Sequence, residues 1–151
     1  MAREKKSAEE SQIQTVRHML PGDGNPLGTV FGGRVLYLID EVASMVARKH
    51  ARSNCVTASI HKMSFEAPVH IGDALHLHGR MVYVGKTSMT VRVKVETEDL
   101  ASGERRDAGT AWLTFVGVDK KGNPKRVPGL ELEDDEARAL WAEAEEIRRW
   151  R

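Results

Sequence analysis

Cysteine occurs once in this 151-residue chain, at Cys55, so no intrachain disulfide can form and no cysteine cluster is available to hold a metal. A reducing compartment, the cytoplasm, is the expected setting. No apolar run approaches the ~18 residues of a membrane span, and the N-terminal MAREKKSAEESQ lacks the apolar core of a secretory leader. Neither membrane insertion nor secretion is expected. An excess of one charge sign is also missing: Lys+Arg number 23 against Asp+Glu 22, a formal net charge of +1. That leaves no global field for gripping a nucleic-acid backbone, so any anionic partner needs a local basic patch. The glycines at 22, 24 and 28 miss the GxGxxG spacing, and no long buried strand precedes them, which argues against a dinucleotide site.

What is present suffices for one core. A hydrophobic fraction of 40% over 151 residues fits a single domain. Residues 1–11 are charged, small and polar, and are expected to form a flexible tail. QIQTVRHML alternates as a short strand, and PGDGNPLG after it reads as a loop. From Gly33 to about His50 the period is helical, with Val35, Leu36, Ile39, Val42, Ala43, Val46 and Ala47 on one arc and Arg34, Tyr37, Glu41, Ser44 and Arg48 opposite. Asp40 falls at the seam between the faces, half-buried by geometry.

CVTASIHKMSFE, ALHLHGRMVYV, TSMTVRVKVETE and DAGTAWLTFVGVD then alternate as four strands, with turns at IGD, VGK and EDLASGERRD. The terminal stretch 131–151 carries acidic residues 133–136 at its start and Arg148, Arg149 and Arg151 at its end, which suits a helix macrodipole. Strand, helix, four antiparallel strands and a terminal helix predict an α+β domain of two layers.

The chemistry concentrates at the helix start. A Gly-Gly step at 32–33 lets a ligand approach and leaves first-turn N–H groups free to stabilise a carbonyl oxygen that gains negative charge. Asp40 lies about 10 Å further along the axis. That is too far for it to reach the same atom, so a carboxylate from a second copy would have to close the gap, making the site intersubunit.

The block DGNPLGTVFGGRVLYLIDEVA, residues 23–43, resembles the signature of hotdog-fold acyl-CoA thioesterases of the cytosolic acyl-CoA hydrolase type. The similarity continues through VTASIHKMSFEAPVHIGDAL and VGKTSMTVRVKVETED into AGTAWLTFVGVDKKGNPKRVPGL, covering roughly residues 12–130. The resemblance implies a curved antiparallel sheet wrapped around a long helix over 12–130, with an extra C-terminal helix over 131–151. It also implies a homo-oligomer, a dimer at least and a trimer of dimers in many members, with active sites between subunits.

The implied activity is hydrolysis of fatty acyl-CoA to free acid and CoA. Asn25 matches the family's loop residue that orients the thioester or water, and Asp40 the helix acid that acts as base or nucleophile. Phe31, Gly32 and Gly33 match the helix-start segment that polarises the carbonyl, and Lys86, Thr87, Ser88 and Met89 the turn and strand start lining the CoA channel. CoA's phosphates need a cationic patch, for which Lys86 and Arg126 are favoured. Thioester hydrolysis expels a good leaving group, so a base and an oxyanion site suffice without metal or resident cofactor.

Blander readings stand beside these. The glycines serve packing in many proteins, and Asn25 alone is a common turn residue. His61, His70, His76 and His78 have no acidic or cysteine partner at metal spacing and read as solvated strand residues. A non-catalytic acyl-CoA-binding regulator on the same fold is the alternative; the presence of both Asn25 and Asp40 argues against it. A hydratase on acyl thioesters needs a catalytic His near the helix start, and none lies between His18 and His50.

Overall fold

A computed structural model describes residues 3–149. Its elements in chain order are β1 (Lys5–Ser7), α1 (Ala8–Ser11), β2 (Ile13–His18), a 3-10 turn (Pro21–Asp23), α2 (Gly32–Ala51), β3 (Asn54–Phe65), β4 (Ala74–Val84), β5 (Ser88–Glu98), β6 (Arg105–Val118), β7 (Gly129–Glu131) and α3 (Asp135–Arg148). The long helix and the four strands after it stand where periodicity places them, except that Leu38 is buried while Leu36, expected on the apolar arc, is only half-buried. Residues 150 and 151, read as part of the terminal helix, lie outside the described residues.

Strands β2, β4, β5, β6 and β3 form one antiparallel sheet in that order. Alternation along β5 sends Met89, Val91, Val93 and Val95 inward, where each is 2% exposed or less. Helix α2 crosses this inner face. Val35, Leu38, Ile39, Val42, Ala43, Val46, Ala47 and His50 are its buried residues, and they interlock with Leu75, Leu77, Met81, Leu113 and Phe115 of the sheet. Each of the larger apolar side chains contributes about 1.5–3 kcal/mol by leaving water. The helix comes close to the sheet at Gly79 on β4, where a Cβ would stand 2.8 Å from both Val42 Cγ1 and Val46 Cγ2. The missing side chain lets the helix rest almost on the strand backbone.

The outer face of the sheet is partly closed by α3. Asp134 caps that helix by accepting from the Ala137 N–H at 2.7 Å, and Leu140 and Ala144 pack on Val82 and Trp112. Trp141 stacks on Tyr83 with ring centroids 4.3 Å apart. Residues 129–131, the last of which was assigned to the terminal helix, pair instead as β7 with β1 in a small parallel sheet.

Three expectations are corrected. The described part of the 1–11 tail is built into the fold as β1 and α1. Ser7, Ala8 and Ser11 are buried, the Ser7 N–H donates to Glu10 Oε2 at 2.7 Å, and Lys6 Nζ donates to the His50 carbonyl at 2.9 Å. Arg3 also donates to the Val127 and Gly85 carbonyls. Small residues between the charges supply the buried face, and the long charged side chains reach backbone acceptors that a composition argument cannot see. Second, the histidines are not all solvated: His76 Nε2 lies 2.7 Å from Glu98 Oε1, and His61 Nε2 lies 2.6 Å from Thr114 Oγ1. His50 is fully buried, its Nε2 2.8 Å from the Pro128 carbonyl. Third, Met89 has no exposed surface and belongs to the core, so it cannot itself line an open channel.

Candidate active site

The loop before α2 is held by its own polar groups. Asn25 Oδ1 accepts from the Leu27 and Thr29 N–H groups at 2.9 and 3.2 Å, and its Nδ2 donates to Thr29 Oγ1 at 2.7 Å. This is an Asx turn, and it leaves the second Nδ2 hydrogen available. Gly28 sits at φ 83, a conformation glycine adopts without a Cβ penalty. Asp23 then ties the loop to the helix: one carboxylate oxygen accepts from the Leu20 N–H at 2.8 Å, the other from Arg34 Nε at 2.9 Å, and its carbonyl accepts from the Phe31 N–H.

The first turn of α2 is open. Its N-cap residue, Phe31, carries no side-chain acceptor for the helix donors. The Arg34 and Val35 N–H groups both donate to the Phe31 carbonyl, whereas those of Gly32 and Gly33 have no acceptor among the described residues. Two uncapped donors at the positive end of a 20-residue helix can act chemically as a cradle for an oxyanion supplied from outside the chain. Beside them is a cavity of about 320 Å³, whose mostly apolar wall includes Val30, Val35, Phe65, Pro68 and Val69.

Asp40 stands eight residues beyond Gly32, roughly 12 Å along the axis. It is half-exposed at the seam and accepts from Thr57 Oγ1 of β3 at 2.9 Å. Thr57 has no assigned role in the sequence reading, although it lies in a stretch of similarity. A contact between residues 17 apart, made where helix packs on strand, leaves no mark in either periodicity. Within one chain the Asn25 side chain bonds within its own loop and Asp40 bonds to Thr57, so the two are not brought together.

The strand that carries Thr57 is one of the sheet's two edges, β2 being the other. Over 12 residues β3 presents unpaired backbone groups, with Val56, Ile60 and Phe65 exposed to 52%, 45% and 56%. A long apolar edge of this kind is a template for pairing with another chain.

Of the remaining positions singled out, Phe31 is 52% exposed at the cradle. Lys86 and Arg126 are exposed and lie on adjacent segments, since the Val127 N–H donates to the Lys86 carbonyl. Thr87 and Ser88 are half-buried; Ser88 Oγ accepts from Arg148 of α3 at 3.5 Å, which turns it toward the outer face. No cluster of three or more metal-ligating side chains occurs among the described residues, and no helix there is long and apolar enough to cross a membrane.

The sequence and the fold both have relatives among known proteins. The family model described as "Thioesterase superfamily" matches residues 27–104. An uncharacterized acyl-CoA thioester hydrolase of Bacillus subtilis is 38% identical over 133 residues, covering 88% of this chain and 77% of that protein. An apo-hexameric acyl-CoA thioesterase superposes with a TM-score of 0.92 at 42% identity, covering 96% of this chain and 93% of its own. An acyl-CoA hydrolase of Staphylococcus aureus, solved with butyryl-CoA, CoA and CoA disulfide, superposes with a TM-score of 0.89 at 36% identity, covering 95% of this chain and 88% of its own. That enzyme has also been solved with an asparagine, an aspartate or a threonine replaced by alanine.

Proposed function

The chain belongs to the thioesterase superfamily, whose hotdog fold it shares, and from that premise we propose that it hydrolyses acyl-CoA to a carboxylic acid and free CoA at a site shared between two copies of the chain. The observation that carries the reading is the uncapped pair of donors at Gly32 and Gly33. The thioester oxygen sits on these two N–H groups, which stabilise the charge it gains as the carbonyl carbon becomes tetrahedral. Asp40 of the other copy stands on the opposite side of the carbon, with Thr57 holding one carboxylate oxygen and leaving the second free.

As base, Asp40 takes a proton from water as the water oxygen bonds to the carbon. The intermediate then collapses, the C–S bond breaks, and CoA leaves as a thiolate that is protonated in turn. As nucleophile, the same carboxylate forms an anhydride that water opens. The Asn25 amide orients the thioester or the water through its spare hydrogen. A resident cofactor is not needed for either route, because the thiolate is a good leaving group. CoA enters as part of the substrate.

The exposed β3 edge supports the shared site, since antiparallel pairing of two such edges would bring the Thr57 end of one strand toward Phe65, which lies against Gly32, on the other. The relatives described as hexameric support an assembly of such dimers. The test is release of free thiol from acyl-CoAs of graded chain length by the wild type and by Asp40→Asn. Turnover that is lost in the variant supports the reading. Tight acyl-CoA binding without turnover by either protein favours the regulatory alternative.

A further inference from the structure

Arg34 stands at the third position of α2, directly after the Gly-Gly step, where a cation opposes the positive end of the helix macrodipole. An acid is the usual choice there, because its side chain can fold back on the N-cap N–H as a capping box. Here the Phe31 N–H is taken instead by the Asp23 carbonyl at 3.1 Å, and the Asp23 carboxylate accepts from Arg34 Nε at 2.9 Å. The other carboxylate oxygen accepts from the Leu20 N–H at 2.8 Å. One turn along the helix surface, the Tyr37 ring lies under the Arg34 guanidinium, its centroid 5.2 Å away, so the arginine is held from two sides.

Of the six arginine–carboxylate pairs among the described residues, this is the only one in which both side chains are less than a third exposed, 32% for Arg34 and 16% for Asp23. Half-buried, it holds more firmly than an exposed pair. It also joins the two halves of the site, since Asp23 precedes Asn25 by two residues and Arg34 follows Gly32 by two. The loop between them is closed on itself by the Asn25 N–H donating to the Thr29 carbonyl at 2.8 Å. Its far side is tied to residues 69 and 71, through the Val30 N–H and the Gly28 carbonyl. The Asp23 contacts are its tie to the helix, and they set where the Asn25 amide stands relative to the Gly32 and Gly33 donors.

Charge adds a second reason for the arginine. A carboxylate adjoining an oxyanion site opposes the negative charge that grows there, and the repulsion strengthens as substrate excludes water. Arg34 cancels that charge. We propose that Arg34 is a positioning residue for the hydrolysis: by holding Asp23 it docks the Asn25 loop on the first turn of α2 and neutralises the carboxylate beside the Gly32 and Gly33 donors. The inference rests on the hydrolase reading of those donors, and it holds whichever way the acyl chain and CoA lie.

The experiment compares the wild type with Arg34→Met, with Arg34→Lys, and with Arg34→Met in an Asp23→Asn background. Thiol release from an acyl-CoA gives kcat and KM, and amide hydrogen exchange follows the loop N–H groups of Asn25 and Thr29. Arg34→Met keeps most of the stem and loses the charge; it is expected to lower kcat about ten- to a hundredfold with KM little changed. Exchange in the loop speeds up, while exchange in the middle of α2 stays as it was. Arg34→Lys, which keeps the charge without the fixed fork, recovers part of the loss. The double variant is faster than Arg34→Met, because asparagine still accepts from the Leu20 N–H and leaves no unpaired charge. A merely structural contact gives the opposite order, since two losses are no better than one. Wild-type kcat in Arg34→Met, a rise in KM alone, or a lysine or double variant no faster than Arg34→Met overturns the proposal. A wild type that releases no thiol from any acyl-CoA, with loop exchange still faster in Arg34→Met, overturns the hydrolase reading and leaves Arg34 as the residue that docks the loop. Unchanged exchange in that case overturns both.

Discussion

Replacing Gly79 by alanine tests how α2 is seated, and with it the placement of Asp40. The added Cβ meets Val42 Cγ1 and Val46 Cγ2 at 2.8 Å each, well inside van der Waals contact. Both neighbours are valines in a helix, confined to one main rotamer, so neither methyl can turn aside. Both are buried, at 1% and 0% exposure, so no solvent gap can take up the displacement. Overpacking by one methyl costs about 1–3 kcal/mol, and two rigid neighbours favour the upper end. The gain from removing glycine from a strand offsets about 0.5–1 kcal/mol. The net is about 2 kcal/mol, a fall of roughly 4–8 °C in melting temperature for a domain of this size. The assay is thermal unfolding at fixed protein concentration, because an oligomer's midpoint depends on it. Val42→Ala, which removes one obstructing methyl, should cost less in the Gly79→Ala background than in the wild type, with a coupling of about 1 kcal/mol or more. A Gly79→Ala protein that melts with the wild type, or two substitutions whose effects simply add, refutes the seating described here.

Three further outcomes are expected. Thr57→Val removes the hydrogen bond to Asp40; for a half-exposed carboxylate this is worth about 1 kcal/mol, a fall in kcat of about five- to tenfold, and Thr57→Ser should restore most of it. Unchanged kcat in the valine variant would remove Thr57 from the mechanism. Burial holds the His50 imidazole below its ordinary 6.5, against an opposing pull from its bond to the Pro128 carbonyl, and protonation would leave a second, unpartnered N–H at Nδ1. The unfolded chain therefore takes up the proton first as pH falls, so stability is full above 6.5 and declines below it. Urea midpoints measured across that range should fall less steeply for His50→Gln, and equal slopes would contradict this. Ile60→Lys places a charge on the exposed β3 edge and should convert the oligomer to smaller species in sedimentation, with loss of turnover; an intact assembly would rule out pairing through that edge.

The helix and the sheet were legible because their periods are clean: alternating valines in β5 and a wide apolar arc in α2 leave little choice of face. Asp40 was legible as a residue at the seam of that arc. Thr57 was not, because its meeting with Asp40 depends on how far β3 slides beneath the helix, a tertiary variable that no window of sequence contains. The N-terminal strand and helix were hidden by composition. Lysines and glutamates outweigh the small residues there, yet Ser7 followed three residues later by Glu10 is a capping-box spacing, and it was the readable signal. Met89 was drawn toward the channel by its neighbours in sequence, although strand alternation places it opposite Ser88.

The central claim, that one active site draws on two chains, is tested most directly by mixing two inactive proteins. Asn25→Ala and Asp40→Asn each disable every site in a homodimer. After unfolding and refolding together, mixed dimers contain one site in which both substitutions meet and one in which neither occurs. With random pairing, about a quarter of the sites then regain wild-type composition. Thiol release rising to about a quarter of the wild-type rate in the refolded mixture is the result this account predicts. A mixture as inactive as its two components, despite confirmed mixed dimers, would place Asn25 and Asp40 in the same chain's site and contradict it.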